Sequence, residues 1–272
     1  MHTPTVSVVA SVFNAEAFIE SAIASVVTQT FQDWELIVVD GGSSDNTRQI
    51  VMEQIKKDPR IHLIDNIDDQ GPAHARSVGV RASKGDYIAF LDGDDAWLPS
   101  KLKKQYEMIQ EKNLDIVCSG YRVMTHDGGL VSQTVPIHRS YNFLKALCTR
   151  GITTSSVFTK RSSLTDEILD TYGRFHGEDY LWWLKILQKG GVAGAIKEPL
   201  MLYRDTPASL SKFRVKHQVS VWEIYRQELK IALFLSSLAY VFYLSDVVLR
   251  RTYTKIATII FGQIETGRIF NE

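Results

Sequence analysis

The sequence predicts an α/β fold built on a mostly parallel sheet flanked by helices. Three observations carry that prediction. Four short apolar runs, rich in β-branched and aromatic residues, recur through the first third of the chain. Between them lie stretches whose apolar residues return at helical spacing. Three of the runs stop at or just before a polar residue: Asn14, Asp40 and Asp92. Strands alternating with helices at this spacing argue for parallel pairing. In such sheets ligands sit beyond the carboxyl ends of the strands, so these three residues can converge on one crevice.

Thr5–Ser11 is the first strand and runs into Val12-Phe13-Asn14. Phe18, Ile19, Ala22, Ile23, Val26 and Val27 then share one helical face. Trp34–Val39 is the second strand. In the following Gly41–Asn46 loop, Asp45 or Asn46 can cap a helix that runs to Lys57. Ile61–Ile64 is the third strand. A polar loop leads to a helix over Gly71–Ala82, and Tyr87–Leu91 is the fourth strand. Pro99-Ser100 opens a helix to about Glu111. Asp115–Met124 and Leu130–Val135 flank His126-Asp127-Gly128-Gly129, a hairpin signal. A helix is expected over Asn142–Thr149. Thr153–Phe158 is expected to approach the crevice as a strand. His176-Gly177-Glu178-Asp179 then opens an apolar helix, YLWWLKIL, closed by Gly190-Gly191. Val192–Ile196 and Leu200–Arg204 are the last expected strands.

The stretch DGDD follows the fourth strand at once. Asp92, Asp94 and Asp95 crowd into four positions around Gly93. Carboxylates this close repel one another, and burying them unpaired is costly. A hard divalent cation, Mg²⁺ or Mn²⁺, answers that repulsion with oxygen ligands shared with substrate phosphates. A solvated acidic turn whose last Asp caps a helix is the plainer reading. Glu178 and Asp179 sit in the first turn of their helix, where the helix dipole favours carboxylates whatever their function.

The chain has 272 residues, 44% apolar, with 31 basic and 31 acidic side chains. That suits one sizeable core, and no basic excess points to nucleic acid. Cys118 and Cys148 lack metal-ligand spacing and are expected as free thiols of a reducing compartment. No basic region precedes a signal core, so a cytoplasmic location is expected. The tail differs in character. Ile231–Leu249 carries only one charge, Asp246, and Arg250, Arg251 and Lys255 follow. It can lie in the plane of an anionic membrane, span it, or pack against the domain or in a homodimer. The in-plane reading explains the flanking charges best.

VSVVASVFN, QTFQDWELIVVDGGSSDNT, GDYIAFLDGDDAWLP and GED before an aromatic helix occur in that order. Together they resemble the family 2 glycosyltransferases of the GT-A fold, over about residues 5 to 205. The tail, YR followed by SLSKFRVKHQVSVWEIYR, looks like bacterial members that build surface polysaccharides. The resemblance implies a GT-A domain over 1–215, with a nucleotide-binding half (1–112) and an acceptor half (113–215). A helical, membrane-associating tail over 216–272 follows.

Carried over position by position, Asp92 and Asp94 look like the family's DxD motif. Asp94 would be the principal ligand of Mn²⁺ or Mg²⁺, and Asp92 would touch the ribose or the metal shell. Ser11, Phe13, Asn14, Asp40, Arg76, Asp92 and Gly93 would hold the nucleotide-sugar. Asp40 matches the first Asp of the usual DDGS, whereas the second is Gly41 here, which loosens base selection; UDP is the expected nucleotide. In place of ARNxG the chain has Ala75-Arg76-Ser77-Val78-Gly79. Arg76 would steady the DxD strand or a phosphate. Asp179 matches the family's general base, with Glu178 and Trp182 on the acceptor side. Trp182 or Trp183 could stack on a sugar, although Trp at this spacing commonly belongs to a core.

The implied activity is inverting, metal-dependent transfer of one sugar to a saccharide acceptor. No QxxRW motif marks a processive synthase. A lipid-linked acceptor at the cytoplasmic face of the inner membrane is the expected partner, by analogy. A sugar-phosphate nucleotidyltransferase would need a Gly-rich basic loop where Ser11–Ala15 stand. A catalytically silent nucleotide-sugar-binding or scaffolding subunit is the alternative from another class, since Gly41 and Ser77 depart from the pattern. It would bind donor but release no nucleotide.

Overall fold

The computed structural model describes residues 3–66, 71–132, 134–173, 175, 177–206 and 214–265. His176 and positions 209–213 of the tail motif fall outside them.

The first half alternates as expected: β1 (Val6–Val12), α1 (Ile19–Val27), β2 (Trp34–Asp40), α2 (Thr47–Lys57), β3 (Ile61–Asp65), α3 (Pro72–Ala82) and β4 (Tyr87–Asp92). Their pairings are parallel, in the order β3-β2-β1-β4. Every residue of β1 and β2 is buried, as expected of strands covered on both faces. Period-2 alternation sorts their side chains into two cores. Val6, Val8 and Ala10 pack with Ile19, Ile23 and Val26 of α1. Val9, with Ile88 and Phe90 of β4, faces the opposite side. Asp45, not Asn46, satisfies the start of α2, accepting from the Thr47 amide at 3.0 Å.

The chain then forms β5 (Ala96–Trp97), α4 (Lys101–Glu111), β6 (Ile116–Met124), β7 (Leu130–Val131), β8 (Ser140–Tyr141) and α5 (Phe143–Leu147). A buried 3-10 turn, Thr154–Ser156, leads into β9 (Phe158–Lys160). The run expected as one strand over 153–158 is therefore mostly a turn. β9 lies antiparallel to both β4 and β6. The hairpin expected over 115–135 keeps its turn, but its second strand shrinks to β7 and one bridge, Val135 to Tyr121.

α6 (Asp166–Leu169), α7 (Glu178–Gln188) and β10 (Ala193–Arg204) follow. The two strands expected at 192–204 are one, parallel to β6, with register shifts on either side of Pro199. Proline lacks the ladder donor, so the strand bulges there. Last come α8 (Arg214–Glu223), a π-helical turn (Ile224–Glu228), α9 (Leu233–Phe261) and β11 (Ile264–Glu265). α9 outruns its apolar core segment by two turns or more because its inner face stays in contact with the domain. The whole is a mixed sheet with helices on both faces and an apolar C-terminal helix.

Candidate active site

The site forms where β1, β2 and β4 end side by side. Gly93 lets the chain turn back over β1, since a Cβ there would stand 2.8 Å from Val12 Cγ1. The Gly93 amide donates to Ser11 O at 3.3 Å, and the Ser11 hydroxyl lies 3.5 Å from Asp92 Oδ1. On the other side, Asn14 takes a left-handed backbone (φ 48°) and accepts from the Ser44 amide at 2.9 Å. Asp40 is fully buried and accepts from both the Ser43 amide and the Ser43 hydroxyl. It shapes the Gly41–Asn46 turn rather than presenting a free carboxylate. Phe13 stands 60% exposed on the rim, available to a flat ring.

Arg76 joins the halves of the site. α3 can approach β1 closely because Gly79 faces Val9, where a Cβ would clash. That brings Arg76, itself buried, onto Asp92, with Nη2 2.5 Å from Oδ1. Burial works against the guanidinium charge, but Asp92 and Asp179 together outweigh it and hold its pKa above the ordinary value. Ser77, the departure from the ARNxG pattern, is buried and donates to Leu169 O at 2.8 Å.

The three clustered carboxylates separate in role. Asp95 is buried and accepts from the Arg204 amide at 2.9 Å; burial, then Asp94 and Asp92, push its pKa well up. Arg204 Nε also bonds Asp94 O at 2.8 Å, so the end of β10 braces the loop. Burial and the Asp92 charge raise Asp94 to about 6. Among the described residues no three His, Cys, Asp or Glu side chains gather as a metal cage. Asp94 and Asp92 remain: two hard oxygen donors whose mutual repulsion a divalent cation would relieve. A diphosphate would complete its shell. The residues therefore fit a metal shared with substrate.

Asp179 lies in the first turn of α7. Burial would raise its pKa, but Arg76, the Thr154 hydroxyl and His217 together hold it below the usual carboxylate range. Its Oδ2 accepts from Thr154 Oγ1 and its Oδ1 from the Tyr180 amide at 2.9 Å. Glu178 accepts from the Gly173 amide at 3.3 Å, and burial raises it. Trp182 is not on the acceptor side. It is fully buried, donates to Thr171 Oγ1 at 3.0 Å and packs against Phe90 and Trp183, because α7 turns that face to the core. A separate cleft of about 380 Å³ opens beyond Arg204, lined by Phe18, Ala96, Met124, His126 and Asp127.

Thr154, Ser155 and Arg204 were not singled out from sequence. Only the polar start of the 153–158 run and the strand ending at Arg204 hinted at them.

Known proteins share the sequence pattern and the fold that carry this site. The chain matches the model of Glycosyl transferase family 2 over residues 7–168. It belongs to that family. A Bacillus subtilis (strain 168) protein, named for teichuronic acid biosynthesis as the glycosyltransferase TuaG, is 32% identical over 91% of this chain and 98% of its own length. Escherichia coli WfgD, a UDP-Glc:alpha-D-GlcNAc-diphosphoundecaprenol beta-1,3-glucosyltransferase, is 34% identical over 80% of this chain and 84% of its own. Among solved structures, S. aureus TarS 1–349 with UDP-GlcNAc aligns at TM-score 0.66 and 20% identity, over 82% of this chain and 64% of TarS 1–349. The mannosyltransferase PcManGT of Pyrobaculum calidifontis, with GDP-Man and Mn²⁺, aligns at 0.64 and 16% identity, over 93% of this chain and 76% of its own. These two share the GT-A fold. The family 2 chain is accordingly a glycosyltransferase.

Proposed function

We propose that this glycosyltransferase is inverting, metal-dependent and non-processive. It moves one sugar from a UDP-sugar to a lipid-linked saccharide in bacterial cell-surface polysaccharide synthesis. One observation carries the reading: Arg76 pairs with Asp92 at the end of β4 and lies in the field of Asp179 at the start of α7. The donor-side loop and the helix-start carboxylate are thus linked through one guanidinium. The UDP donor and lipid-diphosphate acceptor are carried from WfgD, and TarS with its bound UDP-GlcNAc supports the nucleotide.

In this reading Ser11–Asn14 and the turn shaped by Asp40 receive the nucleotide. Gly93 lets the backbone approach the diphosphate. Asp94, with Asp92, would hold Mn²⁺ or Mg²⁺, whose charge offsets that building on the departing diphosphate. Arg76 fixes the orientation of Asp92. Asp179 accepts the proton of the acceptor hydroxyl as the sugar carbon gains oxocarbenium character. The hydroxyl attacks opposite the leaving diphosphate, the old C1–O bond breaks as the new one forms, and the anomeric centre inverts. Glu178 borders the acceptor side. The catalytic domain is 1–215, and the tail from 216 seats the enzyme on the cytoplasmic face of the inner membrane. α9 is long and apolar enough to span, by length and composition alone. An in-plane seat is favoured because its inner face carries polar contacts with the domain.

A donor panel tests the reading. Purified protein is mixed with UDP-, GDP- and dTDP-sugars, with Mn²⁺ or EDTA, and its melting temperature is recorded. Stabilisation by a UDP-sugar in Mn²⁺, lost in EDTA, is expected. Stabilisation unaffected by EDTA would remove the metal, and a response to GDP- or dTDP-sugars alone would remove UDP.

A further inference from the structure

The turn at Thr154–Ser156 touches both ends of the site. All three residues are buried, at 2% exposure or less. The Thr154 hydroxyl donates to Asp179 Oδ2. The next hydroxyl, Ser155 Oγ, accepts from the Asp92 amide at 3.0 Å. Ser155 O takes the Trp97 indole N–H at 2.9 Å, and Ser156 O takes Gln105 Nε2 at 2.8 Å. β5, α4 and β4 therefore clamp the turn. Adjacent hydroxyls on it reach the two groups whose separation the transfer reaction must fix.

We propose that Thr154 is a positioning residue for the base, and that the turn is a strut joining the Asp179 carboxylate to the end of β4. The inference rests on the reading of Asp179 as general base. A carboxylate offers about four lone-pair sites. Thr154 takes one on Oδ2 and the Tyr180 amide one on Oδ1, which stops rotation about the Cβ–Cγ bond. Lone pairs remain on both oxygens for an incoming hydroxyl. α7 alone cannot do this, because a first-turn Asp can swing outward to solvent.

The donated hydrogen bond also favours the ionised carboxyl. Other charged or titratable groups near Asp179 are Arg76 on α3, Glu178 on α7, His217 on α8 and Tyr243 on α9. Only the hydroxyl changes in the variant below.

The test uses full-length protein with ¹³C-labelled Asp carboxyls. The Asp179 signal is assigned by its loss in Asp179→Asn. In Thr154→Val, of nearly equal volume, the Asp179 titration should move upward by about one pH unit, and Thr154→Ser should restore it. Turnover with the donor that stabilises the protein should fall about tenfold or more in Thr154→Val, with donor affinity unchanged, and recover in Thr154→Ser. An unmoved titration in folded Thr154→Val would overturn the strut. Full turnover in Asp179→Asn would instead overturn the base, even where the titration shift was found.

Discussion

Asp179→Asn lowers turnover by about 10²- to 10⁴-fold while leaving donor affinity within about twofold, the range expected for loss of a general base. The amide keeps the size and shape of the carboxyl; its Oδ1 can accept from the Tyr180 amide while its Nδ2 donates to the Thr154 hydroxyl oxygen. Arg76 keeps its pairing with Asp92 at 2.5 Å. The pocket therefore survives while the proton acceptor goes. Asp179 is held below the usual carboxylate range, chiefly by Arg76 and Thr154 against burial. A depressed folded-state pKa contributes stability above the unfolded pKa and loses it as pH falls through the folded one. The variant should thus melt lower than the parent at neutral pH, and the gap should close in acid. Initial rates of nucleotide release and melting temperatures from pH 3 to 8 check both halves. Wild-type turnover would remove Asp179 from the chemistry.

Charging the outer face of α9 should release the protein from membranes. Phe234, Leu235, Leu238, Val241, Phe242, Val248 and Leu249 are all exposed along it, as are Ile256, Ile259 and Ile260 nearer its end. Burying one such side chain fully is worth roughly 1.5–3 kcal/mol. A stripe of this length in an acyl boundary therefore gives firm binding without a span. The inner face is the reason for proposing an in-plane seat rather than a span. Asp246 pairs with Arg250 at 2.7 Å and accepts from the Arg150 amide at 2.9 Å. Tyr240 donates to Gln218 O at 3.1 Å, and His217 Nε2 meets the Tyr243 hydroxyl at 3.2 Å. Spanning would strip away the Arg150 contact and draw the Asp246–Arg250 pair into lipid. Phe242→Glu with Leu249→Glu touches only the outer face. The pair should leave melting unchanged and shift the protein from floating with anionic vesicles to the soluble fraction. Continued flotation would contradict the in-plane seat. A dimer that turned monomeric, with no vesicle binding in either form, would assign the face to a second copy.

What could be read from the chain follows from how local the signals are. The β-branched runs and their period place β1 to β4 within a residue or two; β1, β2 and most of β4 are buried and tolerate little else, while β3 is a half-exposed edge strand. The acidic turn is equally local: DGDD names its own residues. The partners of that turn are not. Arg76 reaches Asp92 only because a helix packs tightly over Gly79 and Val9. Asp95 is claimed by the Arg204 amide, 109 residues later. Thr154 and Ser155 sit in a short polar run that reads as the start of a strand. They become a turn because β9 is only three residues long and must pass between β4 and β6. Trp182 shows the opposite failure: an aromatic beside a catalytic-type motif looks like a sugar platform until helical rotation sends it inward. The tail is legible as apolar, yet its exposed and packed faces separate only once Asp246 and Tyr243 are seen turned to the domain.

The anomeric configuration of the product tests the single-displacement chemistry most directly. The donor that stabilises the protein, with its α-linked sugar, would be incubated with Mn²⁺ and synthetic GlcNAc-diphospholipid vesicles. The ¹H coupling at the new anomeric centre would then be read by NMR. Direct attack by an acceptor hydroxyl deprotonated at Asp179 predicts a β-linked product. An α-linked product would contradict it, because retention requires a second displacement or a front-face path that a lone base at Asp179 does not provide.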